Sequence, residues 1–112
     1  MIENDPQFLA QLSHSLEKLT QQHPKIEKGE NPFESLLHFL KGQIASWLDH
    51  DFEHLLRLMY RIDIDEKALS AALSSPEPAL SIAQLVLQRE SQKVKTRIAY
   101  QKRKNHGNHQ LG

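Results

Sequence analysis

Apolar residues recur along this chain at spacings of three and four, and most of the runs begin at a recognisable helix start. Phe8, Leu9, Leu12, Leu16 and Leu19 follow Asp5-Pro6, an N-cap with Pro at the first helical position. The spacing predicts a first helix from about Pro6 to Gln22, ended by His23-Pro24 because Pro disfavours helical geometry in the residue before it. The polar segment PKIEKGE, residues 24–30, reads as a linker with Ile26 as its anchor. Helix one is then an arm able to dock on the body or on another subunit.

Asn31-Pro32-Phe33-Glu34 is a second start, and Phe33, Leu36, Leu37, Leu40, Ile44, Trp47 and Leu48 fall in one stripe of the helix it opens. Asp49-His50-Asp51 interrupts that stripe. Asp49 or His50 is expected to cap a third helix after a tight turn, with one continuous helix as the alternative, since no Gly or Pro enforces a break. Helix three is expected to carry Phe52, Leu55, Leu56, Met59 and Ile62 inward.

Ile64-Asp65 reads as a hydrophobic staple and cap for a short helix, Glu66 to Leu73, with Ile64 packing on Leu69. After the loop SSPEP, a last helix from about Glu77 to Gln101 keeps Leu80, Ala83, Leu87, Val94 and Ile98 on one face. It would span roughly 37 Å, longer than a small bundle needs, so its second half is expected to project or to meet another chain.

These elements predict an all-α bundle of four or five helices with a long C-terminal helix and a disordered basic tail. Residues 1–30 form the N-terminal helix and linker, 31–101 the helical bundle and 102–112 the tail. Helices two, three and five make the core and helix four connects them.

Composition sharpens this picture. At 112 residues the chain fits one domain with a modest core. The absence of Cys excludes disulfide scaffolds, thiolate metal sites and thiol nucleophiles. MIENDPQFLAQ lacks the basic-then-apolar order of a signal peptide, and no window approaches the roughly 18 consecutive apolar residues of a membrane span. A cytoplasmic protein without a membrane partner is expected. Its zero net charge conceals an asymmetry: residues 1–90 carry 8 Lys/Arg against 14 Asp/Glu, a net of −6, whereas residues 91–112 carry 6 Lys/Arg and no acid. Such a split invites an anionic partner for the basic end, or attraction between tail and body.

Candidate chemistry is sparse. His50 and His54 lie four apart with Glu53 beside them, but the order H-D-F-E-H differs from the zinc-binding HExxH element. Arg57 and Arg61 continue the same helix face and would set two permanent positive charges beside a cation, so no metal site is expected. Glu53 is better paired with Arg57. Asp49, Asp51, Asp63, Asp65 and Glu66 offer carboxylates for acid–base work, yet their positions fit helix caps and first turns. With no phosphate loop, nucleophile elbow or Ser-His-Asp order, a non-enzymatic protein without a cofactor is expected.

Two interaction surfaces are legible. Phe39, Leu58 and Leu85 each fall off the main apolar stripe of their helices and are expected to bind a protein partner or a second copy of the chain. Alternatively, Lys93, Arg97, Tyr100 and Lys104 lie along one stripe of the last helix with Arg89 beside it, continued by Lys102 and Arg103. A basic face carrying an aromatic suits nucleic acid, through phosphates and a stacked base.

Residues 55–100, LLRLMYRIDIDEKALSAALSSPEPALSIAQLVLQRESQKVKTRIAY, place Tyr60-Arg61-Ile62-Asp63, a short helix, a Pro-containing loop and Gln92-Lys93-Val94-Lys95-Thr96-Arg97 in that order. In this the chain resembles short uncharacterised bacterial all-helical proteins of similar length. The resemblance covers under half of the sequence and implies a compact bacterial helical domain, with no activity, ligand or site residue carried over.

Overall fold

The computed structural model of the chain describes the backbone of residues 5–111 and the side chains of residues 5–104. Among the described residues there are five helices and no strand: α1 (Pro6–Thr20), α2 (Pro32–His50), α3 (Phe52–Arg61), α4 (Glu66–Leu73) and α5 (Pro78–Leu111). The all-α bundle with a long last helix is therefore the fold. The side chains of residues 105–112 lie outside the described set, while the backbone of α5 continues to Leu111 across most of the tail, 102–112, for which the sequence predicts disorder.

Local chemistry sets the helix boundaries. Asp5 caps α1 by accepting from the Gln7 N–H at 3.0 Å, and Asn31 Oδ1 caps α2 by accepting from the N–H groups of Phe33 and Glu34 at 2.9 and 3.2 Å. α1 stops two residues earlier than predicted because Gln21 turns left-handed at φ 62°, with its N–H still bonded to the Glu17 carbonyl. Asp51 makes the corner between α2 and α3. Its N–H closes α2 on the Trp47 carbonyl and its carboxylate accepts from the His54 N–H at 3.1 Å, so Asp51 is the cap, in place of Asp49 or His50.

The end of α3 is built differently. Asp63 sits at φ 65°, its N–H bonds the Tyr60 carbonyl and the Ile64 N–H bonds the Met59 carbonyl, the two bonds of a Schellman motif with Asp where Gly is usual. Asp65 then caps α4 through the Ala68 N–H at 3.0 Å. In the linker, Ile26 is exposed, and the segment is held instead by buried Pro24 and by the Glu27 N–H donating to Ser35 Oγ at 3.3 Å. Gly29 turns at φ +84°, which a side chain would disfavour.

The core is one cluster to which all five helices contribute, and α5 runs through it against α1, α2 and α4. α1 is a full member: Phe8, Leu12 and Leu16 are completely buried and Leu19 nearly so, alongside Leu36, Leu40 and Ile44 of α2 and Ile82, Val86 and Val94 of α5. A core of α2, α3 and α5 alone is thus too small. α1 packs in cis and covers one face of the stretch of α5 expected to project, leaving Val94 and Ile98 buried; from Ala99 to Lys104 every residue is exposed.

Candidate functional site

α3 departs most from the sequence reading. Its buried residues are Leu55, Leu58 and Met59, joined by Ile62 just beyond its end, whereas Phe52 and Leu56, expected inside, are 43 % and 39 % exposed. Leu58, expected to face a partner, is 2 % exposed. At about 100° per residue, 55, 58, 59 and 62 share one direction, while 52, 56 and 60 form a second stripe about 100° away. Both stripes are apolar, and packing selects the first. Phe39 and Leu85, the other two residues expected to face a partner, are half-buried and pack against the core.

The outward stripe is completed by Tyr60, 86 % exposed, so three large side chains stand one turn apart on a helix of ten residues. Beside it, Arg57 and Glu53 form the expected pair at 3.3 Å, both exposed and of small energetic consequence. The His54 ring meets Trp47 edge-on, with centroids 5.0 Å apart, and braces the α2–α3 corner. The depression next to the stripe is walled by α3 alone, from His54 to Arg61, which makes it a helix surface and no enclosed pocket. Among the described residues, no three His, Asp or Glu side chains gather as metal ligands would.

The basic residues divide. Arg89 is occupied by the fold: its Nε donates to the Ile62 carbonyl at 3.2 Å and its guanidinium lies 3.5 Å from Asp63 Oδ2, tying α5 to the turn after α3. Lys93 Nζ lies 3.2 Å from Oε2 of Glu90, an acid only 7 % exposed. Arg97, Tyr100, Lys102, Arg103 and Lys104 are exposed. Two cations that the sequence reading left out join them, Lys18 of α1 and Arg61 at the end of α3, which with Lys93 and Arg97 line a hollow of about 260 Å³. No local signal marks either one, since both reach the site through the packing of separate helices.

Among the described residues, the surface of this small all-α bundle carries the exposed apolar stripe of α3 and a basic junction between α1, α3 and α5. Comparison of the chain with protein-family models, with curated proteins and with solved structures finds no match. Among the described residues no helix is long and apolar enough to cross a membrane.

Proposed function

We propose that this chain is a non-enzymatic interaction module that self-associates through the outward face of α3. The observation that carries the reading is the stripe Phe52, Leu56 and Tyr60, left outside the shared core. An interface between identical copies related by a two-fold axis must be complementary to itself. This stripe meets that condition. Antiparallel pairing centred on Leu56 sets Leu56 against its own copy and Phe52 against Tyr60 of the second copy, because 52 and 60 lie equally far from 56.

Charge follows the same symmetry. Glu53 lies on one side of the centre and Arg57 on the other, so antiparallel pairing brings each Glu53 towards the Arg57 of the second copy, and it also opposes the helix dipoles. Three side chains per copy bury less than a standard protein interface, so the association is expected to be weak.

Sedimentation velocity over low to several hundred micromolar protein tests this. The wild-type chain is expected to move from monomer to dimer, and Leu56→Glu to remain monomeric with an unchanged far-ultraviolet circular dichroism spectrum. A wild-type chain that stays monomeric throughout would sink the proposal.

A further inference from the structure

Three helices deliver four cations to one place. Lys18 comes from α1, Arg61 from the last residue of α3, and Lys93 and Arg97 from successive turns of α5. The acid among them, Glu90, is matched by Lys93 at 3.2 Å. Lys18, Arg61 and Arg97 remain in excess, with no acidic side chain within ion-pair distance among the described residues. Like charges gathered by tertiary packing repel one another, and an anion seated between them relieves that repulsion.

A second hollow, of about 470 Å³, adjoins the first and shares Lys93 and Arg97 with it. It runs along α5 to Tyr100, whose ring is 61 % exposed. We propose that this junction binds a single-stranded nucleic acid, with one phosphate held by Lys18, Arg61 and Arg97 and a neighbouring base stacked on Tyr100. Arg guanidinium groups suit phosphate oxygens through planar paired donors, and an exposed aromatic ring offers a platform that an unpaired base can reach. The acid excess over residues 1–90 repels a polyanion elsewhere and confines the strand to this strip. The site is tertiary: its phosphate clamp needs α1 and α3 as well as the basic end of α5. It uses none of Phe52, Leu56 and Tyr60, so it stands independently of self-association.

Fluorescence anisotropy with short labelled oligothymidine and oligouridine at low ionic strength tests the proposal on the full chain. Binding is expected, weakening as salt rises with a log–log slope of about −0.7 for each phosphate neutralised on a single strand. Arg61→Gln and Arg97→Gln should each weaken it by about fivefold or more, as loss of a charged hydrogen-bonding partner does. Tyr100→Ala should weaken it by at least about fivefold. Circular dichroism checks whether each variant is folded, and Lys18→Gln supplies a second exposed site should Arg61→Gln fail that check. Undetectable binding, wild-type affinity in both Lys18→Gln and Arg61→Gln, or equal affinity for a duplex would each overturn the proposal.

Discussion

Replacing Leu58 by Ala is expected to lower folding stability by about 2–5 kcal/mol, the range for truncating a fully buried Leu. The same change at Leu56 is expected to cost under about 1 kcal/mol, since a side chain 39 % exposed leaves little cavity behind. The two residues are neighbours on one short helix, identical in type, so propensity and chemistry cancel and only their direction differs. Urea denaturation followed by circular dichroism reads the difference directly. Equal losses, or a larger loss at Leu56, would mean that α3 is rotated about its axis relative to the core.

Phe8→Ala is expected to cost about 3–5 kcal/mol. The ring is fully buried although it lies near the start of the first helix, and Lys95 Nζ of α5 lies 5.8 Å from its centroid. The loss is expected to appear in a single cooperative transition reported alike by circular dichroism and by fluorescence of Trp47, because α1 shares its core with α2 and α5. A detachable arm would behave otherwise: global stability would change by less than about 1 kcal/mol, and α1 would melt apart from the signal of Trp47.

These two residues also show where the sequence was and was not legible. The helix starts at Asp5-Pro6 and Asn31-Pro32 and the cap at Asp65 could be read because capping is a contact between near neighbours in the chain. Helix three was ambiguous because apolar residues occupy two adjoining stripes, and a helical wheel shows an apolar arc without saying which edge faces inward. The place of α1 depended on contacts across the linker, with nothing local to distinguish an arm from a core helix. The tie that Arg89 makes within the fold was out of sight for a similar reason: the Ile62 carbonyl to which it donates lies 27 residues away. Lys18 and Arg61 were invisible as a site until three helices brought them together.

The central claim, that α3 pairs antiparallel with its own copy about Leu56, is tested most directly by disulfide trapping, since the chain has no Cys of its own. A disulfide forms only where the two Cα atoms come within about 7 Å. Under mild oxidation, Leu56→Cys should cross-link to itself, and Phe52→Cys should cross-link to Tyr60→Cys in a mixture while neither links efficiently alone. Efficient self-linking of Phe52→Cys would indicate parallel pairing, and no cross-link from any of the three variants at several hundred micromolar would contradict the interface altogether.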